Sequence, residues 1–411
     1  MKNLISLLIL TVLFNSFFAQ EVSIATRSSI ESSILGEERF FNIYLPPSYH
    51  SNKLATYPVI YLMDGDYNFH HTTGLVEQLS SIGDLIPEVI VIGIADNGHS
   101  KYVNNCTPQD RKDNPKGQSE KFASFISTEL KPHIKHIYRV SNCDILIGHS
   151  LGGLFVVNTM LSEPTSFKAY IAISPSLWWG DYEAEEKVDA FFKSNNQLNR
   201  HFYMSLANEK GMGVLGFQNR LDINTFTNQY SKSESLGLDY HFNQYPEENH
   251  NSVGLISVSD ALKDLFHDHT LEVDQITSFE AYESMISTYA TMIGAGFKIP
   301  SSHLSSLIAK FHGTEEITLM EKTIKEKFMA SLGGFYHQLG KTHLRQGKKE
   351  EGMKLLEFCC SQFPASPEFI VSLAENSEKE KATKLYQKAY DLAVKQKARQ
   401  WYINQLNSNI K

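Results

Sequence analysis

Four cysteines in 411 residues leave little material for a disulfide framework. Cys106 falls in a loop after one predicted strand and Cys143 just before the next. In a parallel sheet those places lie a strand length apart, about 17–20 Å, whereas a bridge tolerates at most about 7 Å between Cα atoms. Cys359 and Cys360 are adjacent on a predicted helix, so no structural disulfide is expected. Positive charge is also short: 38 Lys and Arg face 46 Asp and Glu, a net charge of −8. That balance argues against nucleic acid or an anionic membrane surface as a partner. Beyond the N-terminus no apolar run is long enough to span a bilayer. No metal or cofactor spacing stands out, and His267 and His269 read as solvated residues.

What the chain does have begins with an export signature. Lys2 supplies a positive start, Leu4 to Phe18 an apolar segment and Ala19 a small residue before Gln20. Residues 1–19 are expected to be a cleaved signal peptide, giving a periplasmic or secreted protein with no membrane span after cleavage; an uncleaved anchor is the alternative. No cysteine lies near the cleavage point to carry a lipid.

From Val22 to His267 strand and helix patterns alternate. Tyr57 to Met63 and Val89 to Ile94 are near-continuous apolar runs, as strands buried on both faces require. Arg39 to Leu45 alternates like an edge strand, and Ile145 to Ile147, Ala169 to Ile173, Phe202 to Leu206 and Leu238 to Tyr245 continue the series. Helical periodicity over Thr73 to Ser81, Ser119 to His133 and Leu151 to Leu161 completes an α/β fold, a mostly parallel sheet with helices on both faces. After His267 strand signals vanish. Residues 20–267 thus read as one domain, 268–274 as a linker and 275–411 as an all-α domain. In the last, Tyr336, Leu339, Gly340, Leu344, Gly347, Gly352, Leu356, Cys359 and Pro364 fall close to the positions of one tetratricopeptide repeat, with Gly352 allowing a close helix crossing. A plain helical bundle is the alternative.

The chemistry is concentrated at Gly148-His149-Ser150-Leu151-Gly152, which follows an apolar strand and opens a helix. This is the layout of a nucleophile elbow, in which a serine is exposed on a tight turn. A serine hydroxyl needs a base, and the base needs an orienting acid. In α/β-hydrolases the order is serine, acid, histidine, the last two on loops after later strands. His250, in the loop after Leu238 to Tyr245, is the expected base. Glu209, the first carboxylate after Phe202 to Leu206, is the expected acid; Asp222 and a Ser-His dyad are the alternatives. The backbone N–H groups of Leu151 and of Asp66, in the Asp64-Gly65-Asp66-Tyr67 loop, are the expected oxyanion donors.

Several segments together resemble the esterase D-like, or ferric enterochelin esterase-like, α/β-hydrolases: Tyr44-Leu45-Pro46-Pro47, Tyr61-Leu62-Met63-Asp64-Gly65, the elbow with Gly153, Ile173-Ser174-Pro175-Ser176-Leu177-Trp178-Trp179, and Glu248-Asn249-His250. The resemblance covers Val22 to His267. It implies an α/β-hydrolase fold, catalytic roles for Ser150 and His250, no cofactor, and a small-molecule ester as substrate. Gly65, Tyr67, His149, Trp178 and Trp179 are expected to line the substrate site, core packing being the alternative for the tryptophans. One departure concerns the loop Asn97 to Pro108, where siderophore esterases of this type carry arginines: only Lys101 is cationic here, which puts a ferric catecholate in doubt. Short acyl, sugar or feruloyl esters and siderophore lactones all need the same groups. Acyl transfer on the same fold, or an inert hydrolase scaffold working through its helices, are rival readings. The helical tail is an expected surface for a protein partner or self-association.

Overall fold

The computed structural model describes residues 23–109, 116–179, 183–194, 198–232 and 237–410; the expected signal segment 1–19 lies outside them. Eight strands form one sheet: β1 (Thr26–Ser32), β2 (Glu37–Tyr44), β3 (Tyr57–Leu62), β4 (Ile90–Ile94), β5 (Val140–His149), β6 (Ala169–Ile173), β7 (Arg200–Ala207) and β8 (Leu238–Tyr245). Their spatial order is β1-β2-β4-β3-β5-β6-β7-β8. β1 and β2 run antiparallel, and β4, β3 and β5 to β8 are parallel to one another. Helices cover both faces, as an α/β-hydrolase fold requires. β3, β4 and β6 are buried along their whole length, which is why their sequences read as unbroken apolar runs.

Two expectations are corrected. The strand expected from Arg39 is not an edge, because β1, Thr-Arg-Ser-Ser-Ile-Glu-Ser, covers it in a hairpin. β1 gave no sequence signal because it has one large apolar residue and a single hydrogen-bonded neighbour. The segment expected as a loop from Asn97 is largely helix, His99–Cys106. All four cysteines carry free thiols.

Among the described residues, eight helices follow the 3-10 turn His267–Thr270. They share a core with the sheet: Ile145, Ile147 and Ile171 belong to the same buried cluster as Tyr282, Ile286, Tyr289 and Phe297. Within the expected linker 268–274, Val273 is buried. His269, expected to be solvated, is also buried; its Nδ1 contacts Tyr289 Oη at 2.9 Å and its Nε2 contacts Asp84 Oδ1 at 3.3 Å. Asp84 also accepts the Ser302 N–H at 2.8 Å, and Asn52 Nδ2 donates to Ala330 O at 2.8 Å. These contacts place the helical layer beside the N-terminal ends of β3 and β5, where Gly294 lies against Asn142 and Gly296 against Thr56. Within the layer, helices Leu332–Arg345 and Lys349–Gln362 pair closely. A Cβ on Gly352 would come 2.9 Å from Gly340 O, so the crossing needs a glycine.

Candidate active site

Every candidate catalytic residue stands just past the C-terminal end of a parallel strand, where α/β sheets open a crevice for ligands. Asp64 to Tyr67 follow β3, Ser150 follows β5, Ser174 and Ser176 follow β6, Glu209 follows β7 and His250 follows β8. Ser150 sits between β5 and the helix Leu151–Ser162 with φ 57° and ψ −116°. A non-glycine residue pays strain for a positive φ, and such strain persists where surrounding packing enforces it. The enforcement is visible at Gly148, where an added Cβ would fall 2.2 Å from Gly152 O.

The three groups form one hydrogen-bonded line. Ser150 Oγ lies 2.8 Å from His250 Nε2, and His250 Nδ1 lies 3.0 and 2.9 Å from Glu209 Oε1 and Oε2. Because a carboxylate only accepts, Nδ1 carries the proton and Nε2 presents its lone pair to the serine hydroxyl. Glu209 is fully buried and takes a left-handed φ of 56° at the head of a short turn. Burial alone would push its carboxyl up, but hydrogen bonds from His250 and Ser174 outweigh this and hold it below the ordinary carboxylate range. Asp222, the alternative acid, is on the helix Gly213–Lys232, where it accepts from Gln218 Nε2 at 2.8 Å.

Ser174 and Ser176 belong to a segment that carries the family resemblance, but no role was expected of them. Ser174, buried with φ 39°, donates to Glu209 Oε1 and accepts the Ala207 N–H at 2.9 Å. Ser176 Oγ is 3.2 Å from Ser150 Oγ, and its N–H donates to Ser150 O at 3.0 Å. His149, expected to line the substrate site, also contacts His250: its Nε2–H donates to the His250 carbonyl at 2.7 Å, and the two rings are 4.8 Å apart. Burial, reinforced by His250, brings the His149 imidazole down to about 4, so it is neutral in this role.

The two expected oxyanion donors are Leu151, after β5, and Asp66, after β3. The Leu151 N–H occupies the first helical position, where no intrahelical acceptor exists. The Asp66 N–H has no acceptor among the described residues, while the Asp66 side chain is pinned by Arg27 Nη1 at 2.7 Å and by the Asp96 N–H at 3.2 Å. Gly65 also has a packing task. Its Cβ would lie 2.2 Å from the Gly93 carbonyl carbon, so the glycine lets the loop lie on β4. Tyr67 is 73% exposed at the loop tip. Trp178 and Trp179 follow Ser176 on the same turn with ring centroids 5.6 Å apart; Trp179 packs on the core behind the elbow helix. Lys101 is ion-paired with Glu37.

Behind this loop lies an unexpected part-buried relay. Tyr102 Oη donates to Asp64 Oδ2 at 2.7 Å and accepts the Gly152 N–H at 3.0 Å, joining the Asp64–Tyr67 loop to the elbow helix. Burial and then the Asp96 carboxylate push Asp64 up to about 7, against the pull of the Tyr102 bond. The unfolded chain takes up that proton near 3.8, so between these values the folded state binds more protons and loses stability as pH rises. Asparagine tolerates the positive φ of 56° at this position. Asp64→Asn should therefore gain stability relative to the parent as pH rises from about 4 to about 7, by on the order of 4 kcal/mol, with no further gain above. Urea unfolding of both proteins across that range measures the difference, and a pH-independent gap would refute the assignment.

The putative esterase family matches the chain over residues 32–251, more than half of its length. Ferri-bacillibactin esterase BesA of Bacillus subtilis (strain 168) is 29% identical over 253 residues, covering 56% of this chain and 86% of that protein. The crystal structure of an IroE-like serine hydrolase from Shewanella oneidensis superposes with a TM-score of 0.63 at 28% identity, covering 74% of this chain and 99% of that one. An uncharacterised protein from Capnocytophaga ochracea shares the fold over 93% of this chain and 99% of its own, with a TM-score of 0.51 at 18% identity, so the likeness extends into the helical layer. Family match, relatives and fold agree: the chain belongs to the putative esterase family.

Proposed function

We propose that this protein is an exported serine ester hydrolase that opens siderophore-type ester bonds through an acyl-enzyme on Ser150. The observation that carries the reading is the continuous line from Ser150 Oγ to His250 at 2.8 Å and from His250 to Glu209 at 2.9 Å. In the proposed cycle Ser150 Oγ attacks the ester carbonyl while His250 Nε2 takes its proton. The Leu151 and Asp66 N–H groups hold the tetrahedral oxyanion, a contribution of about 2.7–4 kcal/mol per donor in comparable sites. His250 returns the proton to the departing alcohol, and a water activated by the same nitrogen releases the acid. Glu209 fixes the tautomer and stabilises the imidazolium.

The substrate class rests on relatives named as siderophore esterases, together with the ferri-bacillibactin esterase BesA. Export rests on the signal-like residues 1–19. An intact hydrogen-bonded line favours catalysis over an inert scaffold. The test is a panel assayed with the mature protein: p-nitrophenyl butyrate, an iron-free catecholate trilactone and its ferric complex. Trilactone hydrolysis is expected, with the iron-free form preferred because the Lys101 charge is already paired with Glu37. Turnover of the butyrate ester without either trilactone would retain the mechanism and overturn the substrate class. Added alcohol acceptors should not divert the acyl group ahead of water; predominant ester exchange would reassign the protein as an acyltransferase.

A further inference from the structure

At the opposite end of the sheet from the ester site, two imidazoles lie stacked between two carboxylates. His201 is the second residue of β7, and Asp239 and His241 lie near the start of β8. His201 pairs in register with Asp239, and Asp239 and His241 are two residues apart on one strand, so all three project from the same face. The helix Val253–Leu265 packs on that face and brings Asp264 beside them. The two rings stack with centroids 5.2 Å apart and planes at 27°. Six residue steps along β7, about 20 Å of strand, separate His201 from Ala207 at the catalytic end.

We propose that His201, Asp239 and His241 bind a divalent zinc-class metal ion, with Asp264 supporting the two imidazoles from behind. One carboxylate faces one nitrogen of each ring: Asp239 Oδ2 is 2.9 Å from His201 Nδ1, and Asp239 Oδ1 is 2.8 Å from His241 Nε2. One ligand atom from each residue can be chosen so that all lie within 4.8 Å of one another. Bonds of about 2.0–2.2 Å to a tetrahedral ion set ligand atoms about 3.4 Å apart, so these contacts need to open by about half an ångström. Two imidazoles and a carboxylate form a donor set suited to zinc. Asp239 is 64% exposed and His241 41%, which leaves a path for the ion and room for a water ligand.

The second observation is an unsatisfied nitrogen. His201 is 7% exposed, yet its Nε2 has no hydrogen-bond partner; Asp264 Oδ2, 3.5 Å away, is likewise without one. His241 Nδ1 lies 3.1 Å from the same oxygen. Four ring nitrogens thus face carboxylate oxygens, two toward Asp239 and two toward Asp264. An ion on the Asp239 side would be held by the two nitrogens that face it. Nδ1 of His201 and Nε2 of His241 become ligands, and the protons move to His201 Nε2 and His241 Nδ1, both facing Asp264. A metal-bound imidazole backed by a carboxylate is the usual supporting arrangement. The bound ion would tie β8, the strand at the sheet edge that leads into the His250 loop, to β7.

The experiment uses the full mature chain without a histidine tag, stripped with a chelator and titrated with Zn2+ by calorimetry, with Co2+ absorption reporting the ligand field. His241→Ala and Asp239→Asn alter exposed residues, and p-nitrophenyl ester turnover monitors their folding. One equivalent of Zn2+ is expected to bind the parent, with affinity at least about tenfold weaker in each variant and a tetrahedral Co2+ spectrum lost in both. Absence of Zn2+ binding, or equal binding by parent and variants, would overturn the site; the latter would assign the metal elsewhere, including the His250 region.

Discussion

Ser150→Ala should lower kcat for p-nitrophenyl butyrate by about five to six orders of magnitude, leaving a residual rate above that in water. Loss of the nucleophile in comparable hydrolases costs about 2 × 10⁶ in kcat, and binding plus the oxyanion donors retain about 10³–10⁴ over water. The size follows from the elbow. No other hydroxyl can take over, because Ser176 Oγ, though 3.2 Å from Ser150 Oγ, has no bond to His250. The substitution removes one oxygen and leaves the backbone held by the Gly148–Gly152 contact, so the variant should fold like the parent. A fluorophosphonate probe should label the parent and not the variant. Retained turnover with retained labelling would move the nucleophile elsewhere.

Glu209→Gln should cost about four orders of magnitude in kcat with little change in KM, the scale seen when an orienting carboxylate becomes an amide. Glutamine is nearly isosteric, so packing is preserved and the loss reports the proton inventory. The carboxylate accepts from both His250 Nδ1 and the Ser174 hydroxyl. An amide has one acceptor oxygen for these two donors. If its NH2 group turns to His250, the proton moves to Nε2 and the imidazole can no longer accept from Ser150. A loss below tenfold would favour a Ser-His dyad, and an equal loss in Asp222→Asn would return Asp222 to consideration.

The parts of the molecule legible in the sequence were those governed by local rules. β3 and β4 announce themselves by unbroken apolar runs, and the elbow by a glycine spacing imposed by sterics. Glu209 and His250 were readable from chain order, since each follows the strand that carries it. What was not legible depends on non-local contacts. The Tyr102 bridge joins residues 38 and 50 positions away in sequence, and no periodicity marks such a pairing. The contact of His149 with the His250 carbonyl likewise spans 101 positions. His269 looked solvated beside charged neighbours, and only the packing of the helical layer buries it.

That layer meets the sheet near the starts of β3 and β5, through Asn52, Thr56 and Asp84, whereas the Ser150 crevice opens past the strand ends. The molecule therefore has a base and a mouth. A molecule gripping the helices would hold the enzyme from below and leave the route to Ser150 free, so anchoring and turnover would not compete for the same surface.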